Sequence, residues 1–420
     1  MGSLWENRID LEKYLRSIRD VLATKPVVYG ALGIGTAGLV VASYKYLHVH
    51  IPEEIHMEDH SSLRKLHAVI QLQRLVGALS APLGRRFQLF ILRCLRDGST
   101  SVKNRSNSEI YAESLDFSGV PVVLYRKQRW HNAEGTDNRL RPAIVHIYGG
   151  GWTFSNSGNY IEHHQRLVST LDAAVLTIGY HKAPENPFPI GVQECFAAIE
   201  YFYDHAEDFG VDPLKISLLG DSAGATLCLA VSLKFRDEHK NLVIKNQALI
   251  YPATQFLNFR TRSYQGHFPL LTKKTMITYA LYYTGDSLSL GRHLARNRHH
   301  CSGFEESPAW NTLKKYITEK PTIPETSSQR IRNFRCKVLD GYLCPLAAPS
   351  LRDLPPTLIV VCKFDVLRDD GFALAQRMME DEVDLTLKTF PTTHSAFKFM
   401  RCLKSGRDIM DTVTTYFANN

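Results

Sequence analysis

Three residues of this chain have types and spacing that suit them to chemistry together: a serine between glycines, a late histidine, and an aspartate lying between the two in sequence. Gly220-Asp221-Ser222-Ala223-Gly224 has the form G-x-S-x-G. With glycine and serine each near 7% of an average composition, about one random chain in ten of this length would carry such a pentapeptide, so its context decides. The apolar run "ISLL" enters it and an Ala/Leu-rich stretch leaves it. That is the strand–turn–helix that exposes a nucleophile, in a turn so tight that the residues two places either side must be small. A serine held there sits at a helix N-terminus, whose positive end favours developing negative charge.

A serine hydroxyl is a poor nucleophile until a base takes its proton, and that base needs a carboxylate to orient it. After a strand–Ser–helix turn the expected chain order is Ser, Asp/Glu, His. Beyond residue 365 there is one histidine, His394, in "FPTTHSAF", directly after the strand-like "DLTLKTF". The carboxylate has three candidates in "CKFDVLRDDG". Asp365 follows the apolar run "TLIVVC" and falls at the carboxyl edge of a strand, which assigns it the catalytic role. Asp369 and Asp370 precede Gly371 and a helical pattern, where acidic residues serve as helix-start caps.

The stretch "IVHIYGGGWTFSNSG", residues 144–158, supplies the remaining part. Gly149, Gly150 and Gly151 offer main-chain N–H groups to an oxyanion, together with the N–H of Ala223. Glycine suits such a loop because it must approach the substrate closely and adopt angles that a Cβ forbids. Tyr148 precedes the glycines, and His146, two places upstream in an extended run, projects to the same face. Both are expected to support the loop through side-chain hydrogen bonds.

The elements that must position these groups are legible in outline. Strand-like runs at 120–126, 141–148, 173–180 and 215–220 alternate with helical patterns. They predict an α/β fold with a mostly parallel sheet covered on both faces. The pattern breaks over 255–350, which reads as a helical cap inserted into the core, and resumes at "PPTLIVVC". Residues 61–97 have apolar positions at helical spacing, such as Leu63, Leu66, Val69, Leu72 and Val76. The resulting division is 1–25 cytosolic, 26–47 membrane anchor, 48–110 helices contributing to the cap, 111–254 first part of the core, 255–350 cap, and 351–420 second part of the core.

The anchor rests on "PVVYGALGIGTAGLVVASY", residues 26–44, which has no charged residue. As a helix it reaches across about 30 Å of hydrocarbon. Arg16, Arg19 and Lys25 precede it, so the N-terminus stays cytosolic and the body is translocated. Glu6, Asp10, Glu12 and Asp20 argue against a cleaved signal peptide. Gly33, Gly35 and Gly38 spell a dinucleotide fingerprint, but no strand precedes them, and helix packing in a membrane explains them better. The sequon Asn104-Arg105-Ser106 is a glycosylation candidate on the expected lumenal side.

Composition excludes several classes. At 44% hydrophobic and 22% charged residues, the 420-residue chain is ordinary globular material. Its net charge of +8 is spread over scattered basic residues, which argues against a nucleic-acid partner. Eight cysteines form no C-x-x-C pair, and they permit disulfides without dictating any. The pairs His163–His164 and His299–His300 lack the companion spacing of a metal motif and read as surface or cap residues. No metal or cofactor is called for.

Taken together, "YGGGW", "YHKAPENPFP", "GDSAG", "FDVLRDDG" and the late His394 resemble the arylacetamide deacetylase branch of the hormone-sensitive-lipase-type α/β-hydrolases, over most of the chain. The resemblance implies an α/β-hydrolase fold with a cap and a single-pass anchor, with the catalytic body in the endoplasmic reticulum lumen. It implies the triad Ser222, Asp365 and His394, and a serine hydrolase cleaving esters or amides of apolar, lipid-like or aromatic substrates. Three residues, at two places, depart from its pattern. Tyr148 stands where the pattern has histidine, and His181-Lys182 replace Arg-Leu in the stretch Tyr-Arg-Leu-Ala-Pro-Glu, where Glu185 is expected to be structural. Because the glycines supply the donors themselves, a less firmly held loop should cost no more than the ~10²–10³ in rate of one lost donor. The competing reading is a catalytically impaired homologue that binds a hydrophobic ligand.

Overall fold

The computed structural model describes residues 40, 43, 44, 48–97, 106–132, 139–238, 243–319, 321, 323 and 328–420. The expected anchor falls almost wholly outside these residues, as do Gly33–Gly38 and the Asn104 sequon. Among the described residues no helix is long and apolar enough to cross a membrane. The described residues fall into two compact units, one holding 64–92 and the other 50–63 with 93–420. The helical stretch expected over 61–97 is broken into α1 (Met57–Ser80) and α2 (Arg85–Asp97). Pro82 and Gly84 divide them, Gly84 at φ 100°. The two helices close on each other where Gly77 meets Leu92, since a Cβ at Gly77 would stand 2.9 Å from Leu92 Cδ2.

The larger unit is built on eight strands: β1 (Ile110–Phe117), β2 (Val120–Lys127), β3 (Arg141–Ile147), β4 (Ala174–Ile178), β5 (Val211–Asp221), β6 (Gln247–Ile250), β7 (Thr357–Phe364) and β8 (Leu385–Thr393). They lie in the order β1-β2-β4-β3-β5-β6-β7-β8. The first two pairings are antiparallel and the rest parallel. Strands β4 and β6 are buried at every position and β3, β5 and β7 at most. That is the signature of parallel strands with helices on both faces, and it is why their sequences read as near-continuous apolar runs. Strand β1 escaped the sequence reading because it is an edge strand with most of its residues only half covered. Its apolar signal is correspondingly diluted.

Helices α3 (Ile161–Leu171), α4 (Ile190–Asp204) and α5 (Ala223–Glu238) connect the central strands. The chain leaves β3 toward β4 on one side and later leaves β5 toward β6 on the other. Adjacent β3 and β5 therefore flank a switch point, where a crevice opens beyond the carboxyl ends of the strands. The glycine loop follows β3 and Ser222 follows β5, so topology alone brings both to this crevice. His163 and His164 are not surface or cap residues. They lie in α3, 3% and 0% exposed, because α3 packs that face against the sheet.

Between β6 and β7 the described residues form short helices, among them α6 (Lys273–Tyr283) and α7 (Gln329–Lys337), with no named strand. Asp369 and Asp370 hold this segment down, which corrects their expected role as helix caps. Helix α8 (Arg368–Glu380) has no side-chain cap. Asp369 Oδ2 instead accepts the Ser263 N–H at 2.7 Å, and Asp370 Oδ1 accepts from Gln255 Nε2 at 2.9 Å. Helix α9 (Lys404–Asn419) completes the fold.

The nucleophile turn is closed by contact rather than by preference. A Cβ at Gly224 would stand 1.9 Å from Ile147 O, and one at Gly220 would stand 2.5 Å from Gly224 O. Gly224→Ala must push α5 off β3, and thermal unfolding is expected to show a loss of roughly 1–3 kcal/mol. An unchanged melting temperature would mean that this approach is looser than described.

Candidate active site

Ser222 sits in the turn from β5 to α5 with φ 54°, the left-handed strain expected of an exposed nucleophile. Its N–H donates to Ile250 O at 2.8 Å, which fixes the turn to the next strand. His394 follows β8 directly and Asp365 follows β7 directly. The residues just before them, Thr393 and Phe364, are partners across the β7–β8 ladder. The sheet register therefore delivers the imidazole to the carboxylate. His394 Nδ1 lies 2.7 Å from Asp365 Oδ2, and His394 Nε2 lies 3.1 Å from Ser222 Oγ. An ionised carboxylate only accepts, so the proton belongs on Nδ1 and Nε2 faces the serine as acceptor. Asp365 Oδ1 accepts the Leu367 N–H at 3.0 Å, and Asp365 itself is 1% exposed. These three residues come together as the sequence expects.

The glycine loop differs in one position. Gly149 does not present its N–H to the crevice, because it donates to Asp221 Oδ1 at 2.9 Å. The N–H groups of Gly150, Gly151 and Ala223 are engaged by no hydrogen bond among the described residues. Gly150 has φ 129° and Gly151 φ 61°, and a Cβ at Gly150 would stand 2.2 Å from Phe154 O. The donor set is thus two glycines and the helix N-terminus.

Asp221 organises the floor of the site. It also accepts from Tyr160 Oη at 2.9 Å and Tyr251 Oη at 3.3 Å, and His146 Nε2 stands 3.7 Å from its Oδ1. Burial pushes its pKa up. The imidazole of His146, the Gly149 N–H and the Tyr160 hydroxyl outweigh that and hold it below the ordinary 3.8. His146 therefore serves Asp221, with its Nδ1 2.8 Å from His164 Nε2. The Tyr148 hydroxyl accepts from Lys182 Nζ at 3.0 Å.

The outer side of the loop is tied to α2 and to the segment before α4. Arg93 grips Glu185 with two nitrogens, at 3.0 and 2.7 Å, and donates to Thr153 O and Ala183 O. This bears out a structural role for Glu185. Lys398, four residues past His394, donates to Ser155 Oγ at 3.0 Å, and the Ser155 N–H donates to Asp97 at 2.6 Å. Of the aromatic residues in the insertion, Phe256 and Phe259 are its fully buried core. Tyr279 and Phe268 are half-buried. The Tyr279 ring stands against the glycine loop, such that a Cβ at Gly151 would meet it at 2.2 Å, and Arg96 donates to its hydroxyl at 2.7 Å.

Sequence reasoning missed Asp221, Tyr160, Tyr251 and Lys398, and marked Lys182 only as a departure from the family pattern. Of the four missed, only Asp221 left a signal, since a carboxylate at the end of a buried strand must have partners. The others come from segments distant in the chain.

Residues 144–315 and 304–398 match the alpha/beta hydrolase fold family. Neutral cholesterol ester hydrolase 1 of Bos taurus is 30% identical over 375 residues, 84% of this chain and 90% of that protein. Arylacetamide deacetylase of Bos taurus is 31% identical over 298 residues, 67% of this chain and 72% of that protein. Among solved structures, the hyperthermophilic esterase of Pyrobaculum calidifontis superposes with a TM-score of 0.57 at 22% identity, covering 83% of this chain and 97% of that one. Carboxyl esterase 2 of Tuber melanosporum gives 0.58 at 23%, covering 77% and 90%. At these identities the two structures speak to the fold.

Asp221→Asn removes a charge that three donors address. Its folded pKa lies below the unfolded one, so its contribution to stability is present above about pH 4 and lost as pH falls through the folded value. The variant is expected to lose about 1.5–3 kcal/mol at pH 7 and to show a shallower acid limb. Chemical denaturation at pH 7 and pH 3 tests this, and a difference from wild type that does not shrink on acidification would contradict it.

Proposed function

This chain belongs to the α/β-hydrolase fold family, in the branch of arylacetamide deacetylase and neutral cholesterol ester hydrolase, and from that premise we propose that it is a membrane-anchored serine esterase working through Ser222, His394 and Asp365. The observation that carries this is the continuous line from Ser222 Oγ through His394 to Asp365, at 3.1 and 2.7 Å.

The chemistry follows from the proton positions. Ser222 Oγ attacks the ester carbonyl carbon while His394 Nε2 takes its proton, and Asp365 stabilises the imidazolium. The negative charge formed on the carbonyl oxygen is met by the N–H groups of Gly150, Gly151 and Ala223, at the positive end of α5. Collapse breaks the acyl carbon–oxygen bond, and the alcohol leaves with the proton from His394. Water then adds to the acyl-serine and gives its proton to His394. The acid departs as Ser222 recovers its hydrogen. None of these steps draws on a cofactor.

Support for an uncharged, apolar substrate comes from Tyr279 and Phe268, two half-buried aromatics of the insertion, and from relatives named for cholesterol esters and arylacetamides. The uncharged segment 26–44 behind Arg16, Arg19 and Lys25 supports a type II anchor with the body in the endoplasmic reticulum lumen.

A fluorophosphonate probe is expected to label the wild type and leave Ser222→Ala unlabelled. A folded wild type that resists the probe would move the protein to the ligand-binding reading. For the anchor, protease added outside sealed microsomes should spare the body and trim only the N-terminal segment, whereas digestion of the body would refute the lumenal placement.

A further inference from the structure

Tyr148 and Lys182, two of the three residues where this chain departs from its family pattern, are 34 residues apart in sequence and touch in space. Lys182 Nζ donates to the Tyr148 hydroxyl at 3.0 Å and to the main-chain carbonyl of Tyr180 at 2.8 Å. The same ammonium lies over both rings, 3.2 Å from the Tyr180 centroid and 4.3 Å from that of Tyr148. The rings stack on one another at 5.5 Å, and the Tyr180 hydroxyl donates to the Tyr148 carbonyl at 3.2 Å. On its other side Tyr148 stacks on Tyr160, the residue whose hydroxyl binds Asp221.

Tyr148 is covalently bonded to Gly149, and Gly149 is pinned to Asp221. Whatever fixes the plane and carbonyl of Tyr148 therefore fixes how the next two N–H groups are aimed. Tyr148 is held at its ring faces, its carbonyl and its hydroxyl, and Lys182 takes part in two of these holds. A cation between aromatic faces attracts more strongly as water is removed, and Lys182 is half-buried here.

We propose that Lys182 and Tyr148 act as one positioning unit, in which the lysine cation clamps the tyrosine and so aims the Gly150 and Gly151 N–H groups, and that the two residues are exchangeable only together. This rests on the esterase reading above. It reverses the expectation from sequence that Tyr148 leaves the loop less firmly held. Tyr148→His alone puts a smaller ring under an ammonium that then loses its hydroxyl acceptor and part of its aromatic bed. Lys182→Leu alone leaves the Tyr148 hydroxyl without that donor.

The test is a double-mutant cycle read by the second-order rate of fluorophosphonate labelling and by kcat and KM for a short-chain p-nitrophenyl ester. Each single variant is expected to label about 10-fold or more slowly, within the ~10²–10³ that one lost oxyanion donor costs, with the loss in kcat and little change in KM. The double variant Tyr148→His/Lys182→Leu should return to within about 3-fold of wild type. Lys182→Arg, which keeps a cation able to lie over the rings, should retain more activity than Lys182→Leu. Thermal melts identify any variant that has simply unfolded, and for such a variant the Lys182→Arg comparison decides. Losses that multiply in the double variant, or an arginine no better than leucine, would overturn the proposal while leaving the esterase intact. A folded wild type that does not label overturns the esterase reading and this proposal with it.

Discussion

Asp221 brings a carboxylate into the interior at the end of β5, next to the candidate nucleophile, where a charge left without partners would cost several kcal/mol. Its partners are therefore obligatory, and each comes from a different part of the fold. Gly149 follows β3, Tyr160 precedes α3, Tyr251 follows β6, and His146 lies within β3 itself. Satisfying one charge thus fixes the start of the glycine loop, the entrance to α3 and the exit of β6 together. Tyr251 extends this to the histidine arm, since its ring lies 4.6 Å from that of His394. The carboxylate beside Ser222 is no member of the line from Ser222 through His394 to Asp365, yet it fixes the segments that flank that line.

Around that point the sheet supplies the larger distances. The switch between β3 and β5 sets the glycine loop beside the Ser222 turn, and the β7–β8 register sets His394 beside Asp365. The insertion is held to the acid loop rather than left to hinge freely over it. Ser263 donates to Val366 O at 2.7 Å while its N–H is taken by Asp369. A shift of the insertion would therefore disturb the loop that carries Asp365, and with it the His394 imidazole that Asp365 holds.

The glycine loop shows how a departure from a family pattern can be absorbed. Tyrosine in place of histidine would leave a large ring in a confined space, and here that ring is one layer in a stack of Tyr180, Tyr148 and Tyr160. Lys182 closes the stack at its polar end, and Arg93 and Lys398 hold the loop from its outer side through Thr153 and Ser155. All three cations reach the loop from outside it. The loop is stiffened by its surroundings more than by its own hydrogen bonds.

What the sequence determined by itself was local. The apolar runs and the small residues around Ser222 specify strand, turn and helix, because periodicity and steric limits act over a few residues. They were enough to find the parallel sheet and the three residues now joined at 2.7 and 3.1 Å. Edge strand β1 stayed hidden because half-covered strands need no continuous apolar run. Only the tertiary structure decided which partners the buried charges would take. It turned Gly149 from an oxyanion donor into an anchor, made Asp369 and Asp370 fasteners of the insertion, and buried His163 and His164 in α3. It also placed Lys182 on Tyr148. A buried donor or charge accepts any suitable partner that the fold brings within about 3 Å, and which partner arrives depends on chain segments that carry no mark of one another in the sequence.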